Sequence, residues 1–201
     1  MVDVNEETIN CLCGITKSET LMQKRSFFNP VINDTATFIE TSAETGGKYS
    51  LLEIELYKSD GPPLHYHNAF SEKFEVTDGT LYLQVGKKKM TLIKGESILV
   101  PQGMPHKFYN PTNELVKFRL TFEPGHVGME NFIRIIYSLA ADGLTDQTGV
   151  PKKFAHLATI LVMSDSNATG PLSFLAPVVR LVAKQAKKDG TERWLLEKYC
   201  L

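Results

Sequence analysis

Three histidines and one glutamate stand where they could share a metal ion. His65 and His67 are separated by one residue, and on a strand residues i and i+2 project to the same face, so both imidazoles can reach one point in space. Glu72 and His106 complete the set if the strands that carry them lie nearby. Imidazole and carboxylate donors suit Fe, Mn, Ni, Cu or Zn, so the cofactor expected is one divalent transition metal ion from this group. A donor set of this size leaves coordination positions open for water, dioxygen or substrate oxygens, the property that separates a catalytic site from a closed structural one.

These residues need a scaffold, and the sequence around them reads as strands. From about residue 25 to 122, apolar and polar residues alternate in short runs broken by Gly, Pro, Asn and Asp, the signature of an antiparallel sandwich or barrel. Leu52, Ile54 and Leu56 alternate with Glu53 and Glu55. The same habit returns in Phe74 and Val76, in Leu81, Leu83 and Val85, and in Val116, Phe118, Leu120 and Phe122. Asp78-Gly79 and Lys94-Gly95 supply turns, and Gly86-Lys-Lys-Lys89 reads as a solvated hairpin tip. Residues 25–40 are expected to give an exposed edge strand.

After Pro124-Gly125 the period changes from two to that of a helix. Met129, Phe132, Ile133, Ile136 and Ala140 form one stripe, and Phe154, Leu157, Ala158 and Leu161 a second. A third, with Phe174, Leu175, Val178, Val179 and Val182, is interrupted by Pro177, which should kink or split it. Trp194, Leu195 and Tyr199 suggest a last short helix. Such stripes predict cover for the barrel exterior or for the same tail of a second subunit. The division expected is an N-terminal tail over 1–24, a β-barrel over 25–124 and a helical extension over 125–201.

The two chemistry-bearing stretches have a recognisable spacing. The first runs Gly61, three residues, His65, one, His67, four, Glu72, six, Gly79; the second runs Gly95, five, Pro101, one, Gly103, two, His106, three, Asn110. This pair resembles the two motifs of the cupin superfamily, the second at every position and the first from His65 onward. Gly61 departs, standing three residues before the first histidine where the family has five. The resemblance covers roughly residues 45–122. It implies a mainly β fold, the double-stranded β-helix or jelly-roll barrel, here followed by a C-terminal α-helical extension. It also implies one metal inside the barrel at His65, His67, Glu72 and His106, and Asn110 resembles the family's structural asparagine.

Strand alternation outlines surroundings for that metal. Phe74 shares the face of Glu72 and Phe108 that of His106; with Leu56 and Leu83 they form a candidate substrate pocket, plain core packing being the alternative. The activity expected is that of a metal-dependent, dioxygenase-like oxidoreductase on an apolar or aromatic oxygen-bearing molecule, with Glu72 doubling as a base. An isomerase or lyase on the same metal, and a non-enzymatic binding protein, stay open because the fold hosts many activities. His126 and His156 fall outside the motifs and read as structural.

Bulk properties exclude other classes. Of the 201 residues, 42% are hydrophobic and 22% charged, and a net charge of −1 offers no field for nucleic acid or an anionic membrane. No apolar run approaches membrane-spanning length, and the acidic N-terminus lacks a signal-peptide pattern, so a cytoplasmic protein is expected. Cys11, Cys13 and Cys200, near the two ends, do not make a disulfide framework. The partners expected are a small-molecule substrate and a second copy in a homodimer.

Overall fold

The computed structural model describes residues 24–201; Cys11 and Cys13 lie outside them. Period-two alternation produces strands wherever one face can be buried. Thus β3 (Ser50–Leu56) buries Leu52, Ile54 and Leu56, β5 (Ser71–Asp78) buries Glu72, Phe74 and Val76, and β10 (Val116–Glu123) buries Val116, Phe118, Leu120 and Phe122. With β1 (Ser26–Asn29), β2 (Asp34–Glu40) and β8 (Ser97–Val100) they make a six-stranded antiparallel sheet in the order β1-β2-β3-β10-β5-β8.

The second sheet has the order β11-β4-β9-β6-β7, built from β4 (His65–Tyr66), β6 (Thr80–Val85), β7 (Lys88–Ile93), β9 (His106–Tyr109) and β11 (Asn167–Ala168). Aromatic rings join the two sheets across the core. Phe108 of β9 lies 6.0 Å from Phe74 and 5.2 Å from Phe118, measured between ring centroids. The fold is mainly β, two antiparallel sheets followed by helices. Lys87, Lys88 and Lys89 are exposed at the β6–β7 hairpin, as their charge requires.

Residues 25–40 differ from the single edge strand expected. They form a hairpin, because the Asn29 side chain accepts from the backbone N–H groups of Val31 (3.0 Å) and Ile32 (3.2 Å), while Asn33 turns the chain at φ 57°. β2 is therefore paired on both sides, and β1 is the edge.

Helices α1 (Val127–Ala141), α2 (Phe154–Met163), α3 (Ala176–Lys188) and α4 (Thr191–Tyr199) follow the sheets. Among the described residues no helix is long and apolar enough to cross a membrane. The apolar stripe of α1 is one of two buried faces, and the other is polar. There Glu130 accepts from Ser42 N–H and Ser50 Oγ, both at 2.6 Å, Arg134 stacks 4.1 Å above the Phe38 ring, and Tyr137 donates to Asp34 Oδ2 at 2.5 Å. Hydrophobic periodicity is blind to such a face. At the start of α1, Gly128 admits the end of α2, since a Cβ there would lie 1.9 Å from the Met163 carbonyl oxygen.

The remaining stripes are only partly used. Pro177 splits the third: a 3-10 turn over Gly170–Leu175 precedes α3, and the proline sits in the first turn of that helix, where its missing N–H costs nothing. Phe174, Leu175 and Val178 face solvent, Phe174 being 85% exposed, because α3 packs through Ala183 and Ala186 with Val179 and Val182 half-buried. Phe154 is likewise exposed, and α2 instead buries His156, Ala158, Thr159 and Ile160.

Burial raises the Asp34 pKa to about 7, despite the stabilising hydrogen bond from Tyr137. The folded state then holds a proton that the unfolded chain has lost, so stability declines as pH rises from about 4 to about 7, by roughly 4 kcal/mol for a shift of this size. Denaturant unfolding at pH 5 and pH 8 should show that Asp34→Asn removes this part of the slope. An unchanged slope would place the pH dependence elsewhere.

Candidate metal centre

The three histidines are set by short backbone devices at one end of the second sheet. β4 and β9 pair at a single position, which puts His65 opposite His106. His67 follows β4 directly, and its carbonyl accepts from Gly103 N–H at 2.6 Å, tying the two motifs together. Gly61 has φ 66°, and a Cβ there would stand 1.8 Å from the Phe108 carbonyl oxygen, so both conformation and contact demand glycine at this irregularly spaced position. Asn110 is fully buried and fills a turn: its Nδ2 donates to the carbonyls of Leu56 (3.2 Å) and Glu114 (2.7 Å), and its Oδ1 accepts from Thr112.

One ligating atom each from His65, His67 and His106 falls within 4.8 Å of the other two. Glu72 comes across from β5 of the opposite sheet. Its Oε1 lies 3.3 Å from His67 Nε2 and its Oε2 lies 3.1 Å from His106 Nε2. His67, Glu72 and His106 are buried and His65 is half-buried.

The proton on each ring is assigned by its partner. His65 Nδ1 lies 2.8 Å from the Pro63 carbonyl, His67 Nδ1 lies 3.1 Å from that of Asp165, and His106 Nδ1 lies 2.9 Å from that of Met104. Carbonyl oxygens only accept, so all three Nδ1 atoms carry hydrogen and the neutral rings keep their lone pairs on Nε2. Neutral rings would set two of those lone pairs against carboxylate oxygens, and a proton on His106 Nε2 turns one of these contacts into a hydrogen bond to Glu72 Oε2 at 3.1 Å. His67 Nε2 is buried without a hydrogen-bond partner among the described residues. Such contacts need positive charge between them, supplied by a proton or by a metal ion, and the donor set therefore fits a divalent transition metal.

The electrostatics have the same cause. Burial, aided by the neighbouring His67 and His106, pushes the His65 pKa down to about 4, and burial lowers His67 as well. Burial acts the same way on His106, but the hydrogen bond and charge of Glu72 outweigh it and the net shift is upward. For Glu72, burial favours the neutral acid, yet the His106 hydrogen bond and the surrounding imidazoles together bring its pKa below the ordinary carboxylate value.

Residues 52–123 match the family profile described as "Cupin domain". These residues are a cupin domain. Among curated proteins, the chain is 30% identical over 123 residues to "Probable oxidoreductase virH" of Hypocrea virens, covering 55% of this chain and 56% of that protein. It is 32% identical over 73 residues to "Quercetin 2,3-dioxygenase" of Bacillus subtilis, covering 36% of this chain and 22% of that protein. The chain thus spans about half of the first relative and about a fifth of the second. A solved RmlC-like cupin from Shewanella frigidimarina superposes with a TM-score of 0.44 at 19% identity, over 51% of this chain and 86% of that one.

The four pocket candidates have unequal places in this cupin domain. Leu56, Phe74 and Leu83 have no exposed surface and pack the core, whereas Phe108 keeps some exposure. Phe74 still approaches the site, 6.1 Å from His106 between ring centroids. A further ring, Phe70, stacks on His67 at 4.5 Å and 24° and also contacts His126 at 4.9 Å. Phe70 stands between His67 and Glu72 in sequence, and no spacing rule singles out a ring there. His126 is structural: its Nδ1 accepts from Met129 N–H at 3.0 Å and caps α1. His156 stacks on Trp194 at 5.5 Å.

Gly61→Ala should cost about 3 kcal/mol or more, since positive φ and the clash with Phe108 add. Chemical unfolding measures the loss, and a variant as stable as the parent would mean that the Gly61 turn does not anchor β9.

Proposed function

We propose that the chain is a metal-dependent oxidoreductase of the dioxygenase kind, acting on an apolar or aromatic small molecule that carries chelating oxygens. The observation that carries this reading is the convergence of the His65, His67 and His106 rings beside the buried Glu72 carboxylate, with His67 Nε2 left without a hydrogen-bond partner among the described residues. The names of the two curated relatives, an oxidoreductase and a dioxygenase, support the same class.

His65, His67, Glu72 and His106 would hold one divalent transition metal ion, which when bound supplies a Lewis acid and a template for substrate oxygen and dioxygen. The chain's own residues do the rest. The three Nδ1–carbonyl hydrogen bonds keep the imidazoles oriented with Nε2 as the free donor atom. Glu72 supplies negative charge within the barrel and is the residue placed to accept a proton from a substrate hydroxyl. Phe70, stacked on His67, and Phe108 keep the surroundings apolar and exclude water.

Elemental analysis of the purified protein should find near-stoichiometric transition metal that is lost in His65→Ala and His106→Ala. Protein that contains no metal and takes up none of Fe, Mn, Ni or Zn at about pH 7.5, above the ordinary imidazole pKa, would sink the proposal. Oxygen uptake with flavonols, catechols and β-diketones then tests the reaction. Metal-loaded protein inert toward dioxygen with every member of the panel would point to isomerase, lyase or binding chemistry. Glu72→Gln with metal retained should turn over about 100-fold more slowly or worse, and an unchanged rate would remove its role as base.

A further inference from the structure

A segment outside the cupin domain reaches back to one metal ligand. After α2 the chain passes through Asp165, a non-glycine residue held in the left-handed region at φ 52°, and then forms β11 alongside β4. In that pairing Asn167 stands opposite Tyr66 and Ala168 opposite His65. The helical extension thereby completes the sheet beside the site.

Asp165 grips the chain on both sides of the His67 ring. Its backbone carbonyl accepts from His67 Nδ1 at 3.1 Å, and its carboxylate Oδ2 accepts from the backbone N–H groups of Asn68 (2.5 Å) and Ala69 (2.8 Å). Asn167 locks this arrangement, its Nδ2 reaching the Asp165 carbonyl at 2.8 Å, Asp165 Oδ1 at 3.1 Å and the Tyr66 carbonyl at 3.4 Å. A carboxylate that accepts from two consecutive amides is a charge-assisted clamp, and the unfavourable φ persists because that clamp holds it. His65 and His106 take their Nδ1 partners from residues two positions away, Pro63 and Met104, whereas His67 takes its partner from a distant segment.

We propose that Asp165 is a positioning residue for His67, fixing the tautomer and orientation of that ligand from outside the cupin domain. This inference rests on the reading of the histidine cluster as a metal site. A metal ligand whose second nitrogen loses its partner typically binds 10–100-fold more weakly, which sets the size of the effect.

The test uses the full chain with Co(II) as probe, its affinity measured by chelator competition and its visible spectrum recorded, together with long-range 15N NMR of the histidine rings without metal. Asp165→Gly suits the left-handed backbone while removing the carboxylate. With the backbone carbonyl kept but no longer held in place, it should weaken Co(II) binding roughly 10-fold, the low end for a disturbed second-nitrogen partner, alter the d–d spectrum and weaken the His67 Nδ1–H signature, with far-UV circular dichroism unchanged. Asp165→Asn, which keeps an acceptor oxygen, should recover most of the affinity. Asn167→Ala should show a smaller loss in the same direction and serves if the glycine variant does not fold. Wild-type affinity, spectrum and ring 15N shifts in the variants would overturn the inference and leave the metal site standing. Wild-type protein that takes up no Co(II) would defeat the metal reading, and the 15N comparison would then decide the role of Asp165 alone.

Discussion

Everything at this centre depends on where three protons sit. Because the Nδ1 atoms of His65, His67 and His106 each meet a backbone carbonyl, the neutral rings have no choice of tautomer, and Nε2 of His67 and of His106 turns toward Glu72. Burial then raises the cost of leaving those nitrogens unmatched, as the unpartnered His67 Nε2 records. Two sheets are needed, one presenting imidazoles and the other bringing the carboxylate across the core.

The cluster of three histidines was legible because such residues are chemically unusual and two of them lie close in sequence. His65 and His67 share a face by strand geometry alone, and the His65–His106 pairing in the structure joins the two stretches that spacing had singled out. The barrel strands were legible for a related reason: each has a solvated face and a dry one, so period two is written in full along β3, β5 and β10.

Other features were hidden by the same physics. The sheet-facing side of α1 is made from Glu130, Arg134 and Tyr137, residues that a hydrophobic pattern assigns to water, and only their distant partners Ser42, Phe38 and Asp34 make their burial tolerable. Phe174 and Val178 carry the opposite lesson, since a helix can be more apolar than the contact it makes. Asp165 lies in the turn that follows α2. Its partners lie nearly a hundred positions earlier, with sequence separations of 98 to His67 and 97 to Asn68, and no local rule connects them.

The helical extension is thus coupled to the strands through the polar face of α1, which meets Asp34, Phe38, Ser42 and Ser50, and through the Asp165–β11 segment beside β4. The central claim, that three Nε2 atoms and Glu72 converge on one cation, is tested most directly by anomalous diffraction at a metal edge from crystals grown with Mn(II) or Co(II). The account predicts one strong peak per chain, bonded to Nε2 of His65, His67 and His106 and to a Glu72 oxygen. A peak bonded through Nδ1, a peak elsewhere in the molecule, or none at saturating metal would contradict it.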